Sequence, residues 1–357
     1  MLRLQTPTAI EKLLSPGQIL DHKYRVQKLI GVGGMGAVWA AVNKRTGKPV
    51  ALKMLLQSLA DDDRARERFR LEALAAGRIN HPNVVSVFDV FSYAGRDCLV
   101  MELLSGETLA DRLAHTGPIE SEEAFALLLP ALRGVAAAHA HLVIHRDLKP
   151  HNIFLCAGPY GDYVTTKVVD FGLSKVLGGT GGNDITRSGK PMGTPAYMAP
   201  EIAGGSRTAS RRIDVYGFGA VLYETLTGHR PFEGLEGIPL LTQIVNAPPA
   251  PMVSFRPDLD PPVVALVERA MAKDPNQRFR SVEMLIGAIE SLLPPTSALR
   301  ALTPVVGVPI IRSSDPVRTL GEPPARRRAR LRWILAGVAT TLAFGLAWWI
   351  AANGAGR

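Results

Sequence analysis

The sequence predicts an α+β protein of two lobes, a small β-rich lobe with one key helix and a large, mainly helical one, followed by a single membrane-spanning helix. Three observations carry this. From about Tyr24 to Leu104 short β-branched and aromatic runs are broken by one charged helical stretch. From Ser121 onward long apolar helical patterns dominate. Residues 333–352, "WILAGVATTLAFGLAWWIAA", carry no charge over twenty residues, about the length a helix needs to cross a hydrocarbon core.

The expected organisation follows from these shifts in pattern. Residues 1–21 form an N-terminal extension, and 22–294 one folded domain with lobes at about 22–103 and 104–294. Residues 295–332, rich in Pro, Ser and Arg without periodicity, form a juxtamembrane basic linker. The span at 333–352 leaves residues 353–357 as an extracytoplasmic tail. No internal repeat is evident. "MLRLQTPTAIEKLL" lacks the apolar core and small-residue cleavage site of a signal peptide.

Composition narrows the function classes. The chain has 357 residues, 46% of them hydrophobic and 20% charged, enough for a sizeable core. Its two cysteines, Cys98 and Cys156, lie far apart without metal-ligand spacing, so neither a disulfide framework nor a zinc site is expected. Net charge is +9, but residues 312–357 hold eight Arg against Asp315 and Glu322, which leaves +3 for residues 1–311. The basicity is therefore a tail property, and a nucleic-acid partner is not expected. Arg326–Arg332 sits immediately before the span, which places residues 1–332 on the cytoplasmic side of the cell membrane by the positive-inside rule.

Taken in order, "YRVQKLI" and "AVWAAVN" read as strands flanking a glycine-rich turn, and "GKPVALKML" as a third strand after the turn "KRTG". The glycines of "GVGGMGAV" lead into another strand, not into a helix as in a dinucleotide fold. Such a hairpin can lie over a nucleotide while backbone N–H groups approach its phosphates. Lys53 stands in an otherwise apolar strand and needs a partner, because an unpaired buried ammonium is costly. Glu72, beside the apolar stripe of the charged helix in "DDDRARERFRLEALAAGRI", is the natural candidate. "DCLVMELL" reads as another strand. The helix "SEEAFALLLPALRGVAAAHAHL" opens with a capping-box arrangement of Ser, Glu and Glu. The loop "HRDLKPHN" then places Asp147, Lys149 and Asn152 within six residues.

The ordered set "GVGGMGAV", "VALK", "HPNVV", "HRDLKPHN", "DFG", "GTPAYMAPE" and "DVYGFGAVLYE" resembles the Hanks-type (eukaryotic-like) serine/threonine protein kinases, and among them the bacterial membrane-anchored group. The likeness covers roughly residues 22–290. It implies the bilobal protein kinase fold and transfer of the γ-phosphate of ATP to serine or threonine hydroxyls of protein substrates. Asp147 would receive the hydroxyl proton and Lys149 would stabilise the γ-phosphate. Lys53, paired with Glu72, would hold phosphate oxygens. Asn152 and Asp170 would hold Mg2+, with Mn2+ as the alternative, hard oxygen ligands suiting a hard cation. Ile30, Gly31, Val32, Gly33, Gly34, Met35, Gly36 and Val38 would form the loop over the nucleotide. Ala51 would cover the adenine, with Phe154 beneath, Met101 at the back, and Glu102 to Leu104 as the hinge. His151 stands where many relatives have glutamate and is assigned no duty.

The resemblance extends to control and to structure. Residues 170–201 include the glycine-rich "GGTGGNDITRSGKP". Autophosphorylation at Thr186 or Ser188, with Thr180 as a lesser candidate, would order this loop through Arg146. Thr194 would position Asp147 and Lys149 beside the acceptor. Glu201 would pair with Arg278, and Asp214 would hold the catalytic-loop backbone. The hairpin "FLCAGPYGDYVTTKVV" between Asn152 and Asp170 reads as a surface extension. Small residues at four-residue spacing, Gly337, Thr341 and Gly345, would allow a homodimer through the span. The competing reading is a catalytically silent pseudokinase scaffold at the membrane; the presence of Lys53, Glu72, Asp147, Lys149, Asn152 and Asp170 argues against it.

Overall fold

Alternation along three antiparallel strands builds the first lobe. The computed structural model describes residues 13–33, 36–55, 69–70, 73–74, 76–158, 163–171, 195–206 and 210–294. Strands β1 (Ile19–Leu20), β2 (Tyr24–Gly33), β3 (Gly36–Asn43), β4 (Pro49–Leu55), β5 (Val87–Tyr93) and β6 (Arg96–Glu102) form one sheet in the order β1-β2-β3-β4-β6-β5. Successive side chains point to opposite faces. Trp39, Ala41, Val50, Leu52, Met54, Cys98 and Val100 therefore bury one face in a common core. The register Val38↔Lys53↔Leu99 and Ala51↔Met101 gathers the other set on the opposite face. The turn at 43–48 is closed by Gly47 N–H on Asn43 O at 2.8 Å, and Gly47 has φ +71°, which glycine adopts without steric cost.

Of the charged helical stretch, residues 69–70, 73–74 and 76–79 are described; 69–70, 73–74 and 76–77 are helical, and the chain turns at 78. Phe69 and Ala73 pack with Leu55 and Leu99 on the Lys53 face of the sheet.

The second lobe is mainly helical, with α1 (Leu109–Thr116), α2 (Ser121–Ala140), α3 (Pro200–Ala203), α4 (Arg212–Thr227), α5 (Gly237–Asn246), α6 (Pro261–Ala270) and α7 (Val282–Glu290). Helix α4 is buried along nearly its whole length. Small residues allow its close packing: a Cβ on Gly219 would lie 2.8 Å from Met271 and 2.9 Å from Ala270. Among the described residues α2 is the one helix long and apolar enough to cross a membrane, yet more than half of its apolar window is covered by the fold. It is a core helix.

The expected capping box at Ser121 is not formed. The N-cap of α2 is Glu120, without a side-chain cap, because that carboxylate turns away to the Arg256 guanidinium at 3.1 Å. The capping box instead starts α1, where Thr108 and Asp111 bond reciprocally. The hairpin after Asn152 is likewise more than a surface extension. Strands β8 (Ile153–Ala157) and β9 (Tyr163–Val168) pair with β7 (Gly106–Thr108) in a three-stranded sheet, and Ile153, Leu155 and Val168 lie in the main core. Their apolar alternation buries them.

The loop 81–85 joins these parts. Asn83 donates to Thr165 Oγ1 and Thr166 O, both at 2.9 Å, and Val85 N–H donates to Val168 O. Helix α2 passes so close that a Cβ on Gly134 would lie 2.5 Å from Asn83 O. Residues 295–357, and with them the expected linker and span, lie outside the described residues.

Candidate active site

A buried carboxylate sets the loop that carries three of the expected residues. Asp214, in the first turn of α4, accepts the N–H groups of His145 and Arg146, both at 2.8 Å. Its Oδ2 also lies 2.7 Å from His139 Nε2 on α2. Burial alone would raise this carboxyl, but the His139 bond, the nearby His145 and the Arg146 N–H together hold it below the usual carboxylate range. These contacts tie the backbone of residues 145 and 146 to α4. Leu148 packs onto α4 opposite Gly217, where a Cβ would come within 3.1 Å.

On this support Asp147, Lys149 and Asn152 converge. Lys149 Nζ lies 2.7 Å from Asp147 Oδ2. Asn152 Nδ2 donates to Asp147 O at 2.7 Å and to its Oδ2 at 3.2 Å. Both donors engage Oδ2, so Oδ1 is the oxygen left to meet an incoming hydroxyl. The Asn152 amide is oriented nitrogen-first toward Asp147, which turns its carbonyl oxygen the other way.

Lys53 Nζ lies 2.7 Å from Asp170 Oδ1, and its side chain is only 8% exposed. Burial pushes the Asp170 carboxyl up, but the Lys53 charge and hydrogen bond outweigh it and leave the group below the ordinary range, hence ionised. The partner seen for Lys53 is therefore Asp170; Glu72 lies outside the described residues. Val169 N–H bonds to Asn152 O at 3.0 Å, which brings Asp170 next to the Asp147 loop. Phe171 is buried with its ring 4.7 Å from that of His145, and His145 Nε2 lies 3.0 Å from Val169 O. Arg146 and Asp170 have φ of 66° and 60°, a left-handed conformation that costs a non-glycine residue about 1 kcal/mol.

The nucleotide residues fall where the alternation of the strands puts them. Val38, Ala51, Lys53 and Met101 share the sheet face opposite the Trp39 core, and Ile30, Gly31, Val32 and Gly33 are the last four residues of β2, with Gly31 paired to Val38 and Gly33 to Gly36. Glu102 N–H is taken by Ser86 O at 2.9 Å, whereas Leu104 lies between strands, where no ladder engages it. Phe154 sits on the middle strand of the small sheet, opposite Thr108 and Lys167. Gly34, Met35, Thr180, Thr186, Ser188 and Thr194 lie outside the described residues. Arg146 and His151 are exposed beside the loop. Glu201 meets Arg278 in a two-pronged pair at 2.9 and 2.7 Å, and the buried guanidinium also donates to the carbonyls of Ala272, Lys273 and Arg212.

Three participants escaped sequence reasoning. His139 reads as one more residue on an apolar helix, although its place six residues before His145 was a usable hint. Lys167 carries the signal that singled out Lys53, a lysine in a buried strand, and pairs with Glu102 at 2.8 Å. Glu224 receives the Tyr197 hydroxyl at 2.5 Å beneath the segment that follows "GTP".

Oxygen ligands suit a divalent magnesium-type cation. Asp170, ionised, and the side-chain carbonyl oxygen of Asn152 are such donors, and bound phosphates complete the ligand set in phosphoryl transfer. Among the described residues there is no cluster of three or more His, Cys, Asp or Glu that could hold a metal by itself.

A strand-rich lobe bears the buried Lys53, and a mainly helical lobe bears the Asp147–Lys149–Asn152 loop. The chain belongs to the protein kinase family: the family model described as protein kinase domain matches residues 24–287. Serine/threonine-protein kinase PknA of Mycobacterium tuberculosis is 40% identical over 270 residues, covering 74% of this chain and 60% of PknA. Serine/threonine-protein kinase pkn3 of Myxococcus xanthus is 37% identical over 295 residues, 81% of this chain and 53% of that protein. The chain thus spans little more than half the length of these relatives. Among solved structures, the kinase domain of Mycobacterium tuberculosis PknI shares the fold with a TM-score of 0.62 at 24% identity, over 78% of this chain and 98% of that one. Rad53 residues 1–466, in complex with AMP-PNP, gives a TM-score of 0.60 at 25% identity, over 74% of this chain and 64% of that one.

Proposed function

We propose that this chain is an active serine/threonine protein kinase that transfers the γ-phosphate of ATP, with magnesium, to hydroxyls of protein substrates. The observation that carries the reading is the convergence of Lys149 and Asn152 on one oxygen of Asp147, next to the Lys53–Asp170 pair. Asp147 Oδ1 orients the acceptor hydroxyl and takes its proton as the new O–P bond forms and the bond from the γ-phosphorus to the β,γ-bridging oxygen breaks, releasing ADP. Lys149 offsets the charge that gathers on the transferred group, and Lys53 steadies the remaining phosphate oxygens. Asn152 and Asp170 would hold the cation, which neutralises phosphate charge when bound. Relatives named as serine/threonine-protein kinases support the choice of acceptor.

The same reading extends beyond the described residues. Phosphorylation at Thr186, Ser188 or Thr180 orders the activation loop through the exposed Arg146. The uncharged stretch 333–352, with Arg326–Arg332 before it, anchors the kinase domain to the cytoplasmic face of the cell membrane, and its small-residue stripe supports pairing of two chains.

The test is transfer from radiolabelled ATP by the full chain in detergent or nanodiscs, with magnesium and then manganese. The expected result is labelled Ser or Thr in the chain or in an added protein, reduced at least about 100-fold in Lys53→Met and Asp147→Asn. Nucleotide binding without transfer by the unaltered chain would instead support a scaffold.

A further inference from the structure

His151 has no part in the transfer step, yet it stands directly before Asn152 in the catalytic loop. Its charged neighbours are Lys149, Asp111, Arg230 and Asp147. Arg230 comes from the bend after α4, so a second stretch of chain meets the loop beside the acceptor carboxylate. A serine or threonine that reaches Asp147 brings its polypeptide with it. The nucleotide takes the side of Lys53 and Asp170, which leaves the side of His151 and Arg230 for that polypeptide.

Most charges on this flank are already engaged. Lys149 bonds to Asp147 at 2.7 Å. Asp111 accepts the N–H and the hydroxyl of Thr108 at 3.2 and 2.7 Å. Glu233 Oε1 takes the main-chain N–H of Arg230 at 2.8 Å, and its Oε2 lies 3.5 Å from His229 Nδ1. Glu224 is the carboxylate nearest the Arg230 guanidinium, but its Oε2 receives the buried Tyr197 hydroxyl at 2.5 Å. Its Oε1 lies 4.0 Å from Arg230 Nε, beyond hydrogen-bond range. Burial also raises the Glu224 carboxyl, so it answers a cation less fully than a solvated glutamate does.

Arg230 is thus a half-exposed cation, 47% accessible, whose nearest carboxylate is committed to a tyrosine. A guanidinium carries five N–H donors in a planar fork that matches a carboxylate. At position 151 a glutamate would add a competing negative charge; this chain has histidine there.

We propose that Arg230, with His151 beside it, selects protein substrates that carry a carboxylate side chain close to the acceptor hydroxyl and disfavours those with arginine there. The proposal rests on the kinase reading above and specifies the charge of the substrates that this site takes.

The experiment measures kcat/KM of the full chain, in detergent or nanodiscs, on serine peptides that differ only in glutamate or arginine at one flanking position at a time. Each comparison is a ratio within one preparation, so a general loss of activity cancels. At one or more positions glutamate is expected to exceed arginine about tenfold at low salt, and the ratio to fall as salt rises. Arg230→Glu is expected to bring that ratio to about one or below, and His151→Glu to move it the same way. A ratio near one or in favour of arginine at every position, or one that Arg230→Glu leaves unchanged, would overturn the proposal. Should Arg230→Glu fail to fold, His151→Glu at its exposed position reads the same ratio, and no change there counts against the assignment. If the unaltered chain binds ATP but transfers no phosphate, the kinase reading fails, and fluorescence anisotropy of the paired glutamate and arginine peptides alone decides for or against the charge preference.

Discussion

Lys167 on β9 reaches Glu102 at the end of β6 with a 2.8 Å ion pair, and the same carboxylate oxygen accepts the N–H of Ser86 at 3.3 Å. The strand that leads into Asp170 is thus tied to the segment expected to hold the adenine. The Lys167 side chain is 7% exposed and that of Glu102 19%, so neither charge is well solvated without the other. Lys167→Met is expected to cost about 3 kcal/mol by stranding Glu102. Lys167→Met/Glu102→Gln together should cost less than the two single changes added. A denaturant double-mutant cycle measures the coupling; additive losses would mean that the pair is not coupled.

Two glycines of one loop should behave oppositely. A Cβ on Gly36 would lie 2.3 Å from Met54 O, a backbone atom beside Lys53 that cannot step aside. A Cβ on Gly31 would meet nothing within 4 Å. Gly36→Ala is therefore expected to destabilise by about 2 kcal/mol or more, and Gly31→Ala to stay within about 0.5 kcal/mol. If Gly31 faces the nucleotide, Gly31→Ala raises KM for ATP several-fold at unchanged Tm. Thermal melts and ATP titrations of both variants separate the two roles.

Asp214 predicts an acid limb. Its carboxyl is held below the ordinary range despite burial, so its stabilising contribution is complete above the unfolded value of about 4. That contribution is lost as pH falls through this value toward the depressed folded one. Asp214→Asn turns an amide donor toward one of three donors and should cost about 2–4 kcal/mol at neutral pH. Its stability should then fall less steeply than that of the unaltered chain below about pH 4. Parallel acid profiles would refute the assignment.

Lys273 predicts a change at the alkaline end. Burial and the nearby Arg278 bring its ammonium down to about 8, although it bonds to Ile244 O and lies over the Phe232 ring. A depressed lysine disfavours the folded state while protonated, so stability should rise between about pH 8 and the unfolded value near 10.4. Lys273→Met should flatten that rise. Melting curves across this range provide the check, and an unchanged slope would count against it.

The fold was legible where period and chemistry agree. β-branched and aromatic runs between turn signals identify the first sheet, and Lys53 stands out because an apolar strand has no cheap use for an ammonium. Asp147, Lys149 and Asn152 were readable because their polar spacing serves no packing purpose. What stayed hidden depends on distant groups. Ser121 looks like an N-cap until Arg256, 135 positions on, draws Glu120 aside. The β8–β9 hairpin looked superficial because its third strand, β7, precedes it by 45 residues. Lys53 was matched to Glu72 by helix pattern alone; its contact with Asp170 needs the three-dimensional return of the chain.

The left-handed backbone at Arg146 and Asp170 has a consequence for engineering. Glycine would relax Arg146, whose side chain is exposed, so a search that rewards thermal resistance alone would drift toward replacing the residue next to Asp147, whereas at Asp170 the same change would strand the buried Lys53 ammonium. Selection on robustness and selection on turnover pull in opposite directions here, at the level of the main chain as well as the side chains.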